Sequence, residues 1–402
     1  MKFRVRVSPS MSKHRSLLGS VEDRLIRMPA KARAMNGLSP GAYVCFKGKS
    51  NSPILLQTSG AYIDDAQGDD ESVYVSQDTH DLLKLEQISS VKPANDILIG
   101  CDPEFFLVDK STGFTISASH FFNYYGDVGA DQGLAELRPR PNFKEKGVSD
   151  ELFRLIMKAY QHINGRILYR KNDIHLIAAS HYNHASAGYH IHFGLPSHML
   201  IDNIGGRRLL THITHILDYY VGISAILPEG DEDYFRRSEK FSRYGKPGDH
   251  RVDLTTLEYR VPGGHLLRHP VLSSGILSIG ITVMKDVLSR LQAYSDDFSQ
   301  KIWFKDYADL RKLYPRLPDQ SEVHDSIVAH TTDKAMKHID NILDDLSKMI
   351  GFQENGNQII SYFDYVLNYT RKRQKFDENM EANWRLINER QSGSMAVLQA
   401  SK

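Results

Sequence analysis

Cysteine and tryptophan are almost missing from this chain, with two of each among 402 residues. So few thiols exclude a disulfide-stapled scaffold. Cys45 and Cys101 stand in no CxxC or other ligand spacing, and are expected as buried, reduced thiols of a cytosolic protein. Net charge is nearly missing too, because 50 Lys and Arg face 49 Asp and Glu. That balance argues against general electrostatic binding of nucleic acid. There is no long apolar run. The longest window, Val271–Met284, is interrupted by Ser273, Ser274, Gly275, Ser278 and Gly280; it is too short and broken to span a bilayer and reads as a core helix. No secretion signal, internal repeat or low-complexity tract is evident. Neither GxxxxGKS/T nor a strand–GxGxxG–helix fingerprint occurs, so the two common nucleotide-binding loops are excluded.

What is present is a soluble, globular composition, 41% hydrophobic and 25% charged, long enough for two or more structural units. Residues 1–37 read as a basic N-terminal arm, solvated and weakly ordered. Lys2, Arg4, Arg6, Lys13, Arg15, Arg24, Arg27, Lys31 and Arg33 there face only Glu22 and Asp23. Residues 38–95 read as a small β-barrel-like accessory domain, with strands at Ala42–Phe46, Pro53–Thr58, Ala61–Ile63, Val73–Val75 and Leu82–Ile88. Residues 96–390 form the third unit. In it strands at 97–108, 135–138, 174–179, 188–194 and 255–261 precede or alternate with helical spacing at 150–164, 208–227, 269–295, 322–350 and 356–390. Ser149 or Asp150 is the expected cap of the first of these helices. Residues 391–402 read as a flexible tail.

Four segments of the third unit place polar or charged residues at i and i+2 in strand-like sequence: Asp102-Pro-Glu104, Glu136-Leu-Arg138, His190-Ile-His192 and Glu258-Tyr-Arg260. Successive strand side chains point to opposite faces, so each pair shares one face. A hydrophobic core tolerates such groups only when they are paired or hold ions. Wet edge strands, mutual Glu–Arg neutralisation and satisfied core histidines are the structural alternatives. Repetition of the device on four strands favours a metal-and-phosphate site, with Glu136 on metal and Arg138 on a phosphate oxygen. The Gly- and Pro-rich loop Arg243–Arg251 precedes the last pair, and its Arg243, Lys246 and Arg251 suit a lid over polyphosphate. ATP-driven joining of a carboxylate to an amine needs carboxylates for divalent ions and arginines for the transferred phosphoryl group.

At these residues the chain resembles the carboxylate–amine ligase (amidoligase) group of the glutamine synthetase and glutamate–cysteine ligase superfamily, and most of all its phage-encoded branch. The matching segments are Gly100–Phe105, Gly133–Pro139, Gly188–Gly194, Tyr244–Asp249 and Leu257–Arg260. The resemblance implies an α+β fold, a curved antiparallel sheet of glutamine-synthetase type with flanking helices, here preceded by the small β-rich domain. It implies Mg2+- and ATP-dependent formation of an acyl phosphate, with Glu104, Glu136 and Glu258 as magnesium ligands and His192 on metal or phosphate. Arg138, Arg243, Arg251 and Arg260 would bind phosphate or substrate carboxylate, with His190 and Lys246 beside the nucleotide. Asp102 departs from the Glu-x-Glu of many relatives, and its shorter side chain would reach metal through water.

The expected partners are small-molecule or peptide carboxylates and amines, or a protein substrate or phage or host partner met through the N-terminal domain. No membrane is expected, nucleic acid is disfavoured, and assembly into a homo-oligomer fits the family. The expected location is the cytoplasm, that of the bacterial host for a phage-encoded chain. Two rivals stand beside the ligase: a metal-dependent hydrolase built on the His190-x-His192 pair, and a non-enzymatic phage assembly or scaffold protein retaining the ligase fold.

Overall fold

The computed structural model describes residues 2–7, 25–26, 28, 43–46, 54–58, 72–75, 88–93, 97–164, 174–195, 204–238, 244–252, 256–294, 311–371, 378–380 and 383–384. The first of these build a six-stranded sheet in the order β2-β4-β3-β6-β1-β5. Its strands are β1 (Lys2–Val7), β2 (Leu25–Ile26), β3 (Tyr43–Phe46), β4 (Ile54–Thr58), β5 (Ser72–Val75) and β6 (Ile88–Pro93). The basic arm is therefore corrected for Lys2–Val7, while 8–24, 27 and 29–37 lie outside the described residues. Lys2–Val7 pairs parallel with β5 and antiparallel with β6, inside the sheet. Its charges alternate with Phe3, Val5 and Val7, and that period of two outweighs the local charge count. Val73 and Val75 are fully buried. The strands expected at Ala61–Ile63 and through most of Leu82–Ile88 lie outside the described residues, as does the tail.

The second sheet has eight strands, all paired antiparallel, and is organised around β7, Leu98–Asp109. Beside β7 lie β8 (Thr115–Ile116), the hairpin of β9 (Val128–Asp131) and β10 (Leu134–Leu137), and β11 (Ile174–Ile177). A small ladder of β12 (His181–Tyr182) and β13 (Ala185–Ser186) precedes β14 (Tyr189–Gly194). The edge is β15 (His250–Val252) and β16 (Thr256–Tyr259), giving the order β15-β16-β14-β7-β10-β9. This is the antiparallel α+β architecture expected.

Odd-numbered residues of β7, among them Cys101, Phe105 and Leu107, enter the main core with the helices. Cys101 is a free, buried thiol, and burial pushes its pKa up. Even-numbered Asp102 and Glu104 face the other way. Farther along that same face, Phe106 and Val108 form a separate apolar cluster with Ala179 and Ala187. The polar face thus ends where the segment around Tyr182 covers it, its ring 5.7 Å from that of Phe106.

The helices are α1 (Glu145–Asn164), α2 (Ile204–Leu217), α3 (Ile223–Ile226), α4 (Pro270–Tyr294), α5 (Gln320–Val328), α6 (Asp333–Met336), α7 (Ile339–Lys348) and α8 (Phe352–Arg371). Four expected boundaries change. α1 starts at Glu145 rather than near Asp150, because Glu145 is itself buried and accepts a hydrogen bond from Ser149. A π-helical turn, Asp218–Gly222, links α2 to α3. The long helix expected over 322–350 is three pieces. Its first break is held open by Arg237, whose guanidinium donates to the carbonyls of Ile327 and Ala329 at the end of α5, groups no helix turn satisfies. The helix expected over 356–390 ends at Arg371, and Asn379 forms a β-bridge with Ile177.

α4 is longer than its apolar window, and 78% of its most hydrophobic stretch is buried inside the fold. Its small residues allow close approach: a Cβ on Gly275 would stand 2.3 Å from the Tyr362 Cβ of α8. That is core packing between helices.

Candidate active site

Strand register brings the four pairs onto one face. Glu258 lies opposite His192, His190 opposite Asp102, and Glu136 directly opposite Glu104. Arg251 of the edge strand lies opposite Glu258. All of these side chains point the same way by the two-residue period.

Asp102, the expected weak member, stands at the centre. His190 Nδ1 is 3.1 Å from its Oδ1 and His192 Nε2 is 3.0 Å from its Oδ2. Both histidines thus press on this one carboxylate from the neighbouring strand. His190 Nδ1 is also 3.5 Å from Glu258 Oε1, and ligand atoms of Asp102, His190 and Glu258 lie within 4.8 Å of one another. Burial raises the Asp102 pKa, but the charges of His192 and His190 outweigh it and hold this carboxyl well below the usual range. Register, not side-chain length, decided its place.

Glu258 is almost fully buried and serves two guanidiniums. Arg251 Nε donates to its Oε2 at 2.6 Å, and Arg260 Nε is 3.2 Å from its Oε1. Arg260 also lies over the Tyr244 ring at 5.6 Å, a cation–π contact from the loop expected as a lid. Arg138 is bonded to Glu136, and its Nη1 donates to the carbonyls of Tyr124 at 2.6 Å and Gly126 at 3.0 Å. Its guanidinium therefore fixes Glu136 and a neighbouring turn. Glu104 accepts the Gly188 N–H at 2.6 Å. Lys246 is half-buried in the Tyr244–Asp249 loop, and Arg243 lies outside the described residues.

Two carboxylates directly opposite on neighbouring strands repel each other. Burial raises the pKa of Glu104. Burial first, and the Asp102 charge second, push Glu136 up to about 7 against the pull of Arg138. A folded-state pKa above the unfolded value means the native protein holds this proton more tightly. Its stabilising contribution is complete below the ordinary glutamate pKa and is lost as pH rises through about 7. Cation-free protein should therefore lose thermal stability between about pH 5 and about pH 8, and Glu136→Gln should flatten that decline. A Tm series at several pH values checks this, and equal slopes for both proteins would disprove it.

Over residues 99–386 the chain matches the family described as phage phiEco32-like COOH·NH2 ligase-type 2. It belongs to that family. None of the curated proteins matches it in sequence. Among solved structures it is similar to a bifunctional glutathione synthetase from Pasteurella multocida, with 12% identity and a TM-score of 0.39, over 74% of this chain and 49% of the synthetase. It is also similar to a glutamine synthase homolog at 10% identity and a TM-score of 0.39, over 72% of this chain and 70% of that one. A designed protein, mkDPBB_sym1, matches 23% of this chain at 24% identity, over 98% of its own length, with a TM-score of 0.18. These likenesses are remote.

This COOH·NH2 ligase carries further charged residues at the site that sequence reasoning missed. Arg236 is buried, and its Nη1 and Nη2 donate to the carbonyls of Val261 and Arg260 at 2.8 Å each. Burial lowers its pKa to about 10, while the Glu104 charge is the largest opposing influence. It lies beneath the loop: a Cβ on Gly245, whose φ is +75°, would stand 1.9 Å from Arg236 Nη1. Nothing in the irregular Asp231–Arg237 stretch marks this residue as special. Arg268, by contrast, bonds Asp233 and the Ala178 carbonyl rather than the polar face; it is a charge directly after buried Leu266 and Leu267, and that contrast was readable. A cavity of about 590 Å3 is lined by Glu145, Phe153, Ser274, Asn357 and Trp384. None of these lies on the polar face.

Proposed function

We propose that this COOH·NH2 ligase forms an amide bond between a carboxylate and an amine at the expense of ATP, through an acyl phosphate. The observation that carries this reading is the pairing of Glu136 opposite Glu104 beside the Asp102–His190–Glu258 cluster. Such a face, four carboxylates wide, is stable only with positive charge laid on it. The oxygen donors of Glu104, Glu136 and Glu258 fit Mg2+, with Asp102 and the two histidines completing the surroundings. Bound there, Mg2+ supplies charge neutralisation for the triphosphate. Arg260 and Arg251 stand on the rim to bind phosphate or substrate carboxylate, and Arg138 orients Glu136. Lys246 and, from the sequence, Arg243 belong to the loop over the nucleotide. The N-terminal sheet is proposed as the part that selects a peptide or protein substrate, in a cytoplasmic setting where ATP and Mg2+ are plentiful.

The test is ATP turnover by the full chain, screened against amino acids, polyamines and peptides, with products read by mass. ADP release should need Mg2+ together with one acid and one amine, and the product should weigh their sum less one water. A protein that neither binds Mg-ATP nor releases ADP with any pair would end this reading. Hydrolysis without nucleotide would replace it with the hydrolase.

A further inference from the structure

On the helical side of the same edge strands, His324 of α5 meets a pair more than a hundred residues earlier in the chain: His215 of α2 and, three residues on, Asp218 of the π-helical turn. Their ligand atoms lie within 4.8 Å of one another. His215 Nδ1 is 3.7 Å and His324 Nε2 is 3.9 Å from the same oxygen, Asp218 Oδ2. These separations are too long for hydrogen bonds. Around a zinc ion, bonds of about 2.0–2.1 Å place tetrahedral ligand atoms about 3.4 Å apart, so a small inward movement of each imidazole completes the geometry.

The second observation is the state of Asp218. Its side chain has no solvent exposure. Oδ1 accepts the Tyr259 hydroxyl at 2.8 Å, while Oδ2 has no hydrogen-bond partner. A buried carboxylate oxygen with nothing to accept is costly, and this one is aimed between two imidazoles. His324 Nε2 likewise has no hydrogen-bond partner. The Gln320 side-chain nitrogen lies 2.9 Å from His215 Nε2 and 3.2 Å from its Nδ1, a contact that already draws this ring toward α5. A π-helical turn carrying the carboxylate is a recurrent feature of functional sites.

We propose that His215, Asp218 and His324 form a binding site for a divalent transition metal of the zinc class, separate from the carboxylate face. Two imidazoles and one carboxylate suit such an ion better than Mg2+, which prefers oxygen alone. The 37% exposure of the His324 side chain leaves an entry path. The site ties α5 to α2, and Tyr259 links it to the strand carrying Glu258. Gly248, at φ +77°, crosses above it: a Cβ there would be 3.9 Å from His215 Cε1 and 4.0 Å from Asp218 Oδ2. The ion would thus brace the root of the Tyr244–Asp249 loop. This assignment does not depend on the ligase reading.

The test uses the full chain, stripped by chelator and titrated with Zn2+ by calorimetry and by competition with a chromophoric chelator. Asp102→Asn is the background, so that the carboxylate face does not contribute its own trio. One tight equivalent is expected in Asp102→Asn. In Asp102→Asn/His324→Ala affinity should fall by at least the roughly 100-fold that bounds loss of an outer-layer partner. His324 is partly exposed, so the alanine leaves the core intact, which circular dichroism verifies. Asp325→Ala, next to it and exposed, should bind as the background does. Undiminished zinc affinity in the His324 variant, or no tight equivalent in the background, overturns the site.

Discussion

Glu258→Gln should leave a folded protein whose amine-dependent ADP release is reduced by roughly 100- to 1000-fold, about 3–4 kcal/mol of lost transition-state stabilisation. Glu258 is 3% exposed and is touched by Arg251, Arg260 and His190 together. The amide keeps its volume but removes the charge that holds two guanidiniums in register and that would bind the proposed cation. Packing therefore survives while the electrostatics fail. Arg251 is 65% exposed, so its share of folding stability is small, about 0–1 kcal/mol, and the loss of activity should far exceed the loss of Tm. Initial rates by a coupled ADP assay, beside thermal melts, separate the two. Activity within about threefold of the parent, on the scale where one catalytic donor is worth 100-fold, would remove Glu258 from the reacting centre.

The largest effect on stability should come from Asp233→Ala, about 3–5 kcal/mol. Asp233 and Arg268 are both about 2% exposed and meet at 2.7 Å. Asp233 also accepts the N–H groups of Ser180 and Gly230 at 2.6 Å each. Removing the carboxylate leaves a buried guanidinium whose remaining partners are the carbonyls of Ala178 and Pro228 and the half-exposed Glu378. Two backbone donors are orphaned as well. Ser180 bonds His265 Nδ1 at 2.6 Å, and His265 Nε2 meets the Ala225 carbonyl at 2.8 Å. The network therefore ties the strand end at 178–180 to α3 and to the turn that carries Arg236. Urea unfolding of Asp233→Ala and Asp233→Asn measures the cost, with the asparagine variant losing less. A change under about 1 kcal/mol for the alanine variant would mean that the pair contributes little beyond its own desolvation.

The polar face was legible because it is written in a local code. A period of two puts Asp102 with Glu104, Glu136 with Arg138, His190 with His192 and Glu258 with Arg260, whatever the strands later pair with. Lys2–Val7 obeys the same code, and counting its charges instead of reading their alternation produced the mistaken arm. Helix ends were less legible. The break after Val328 depends on Arg237, about ninety residues earlier in the chain, and the end of α8 gives way to a bridge with Ile177. Such partners leave no mark on local periodicity.

By itself, then, the sequence determined the sheet face and the residue types on it, since these follow from alternation and from the cost of burying charge, while the antiparallel α+β class came from the resemblance those same segments carry. Only the tertiary structure decided which groups meet. Asp102 became the centre because β14 pairs with β7 so that His190 falls opposite it, and a register is a property of two strands. Arg236 entered beneath the loop from a short 3-10 turn, Asp233–Arg236. His215 and Asp218, from α2 and the turn that follows it, meet His324 of α5, joined by packing over more than a hundred residues of chain. Distances across a fold depend on how its elements dock, and docking energy is spread over the whole core rather than written at any one position.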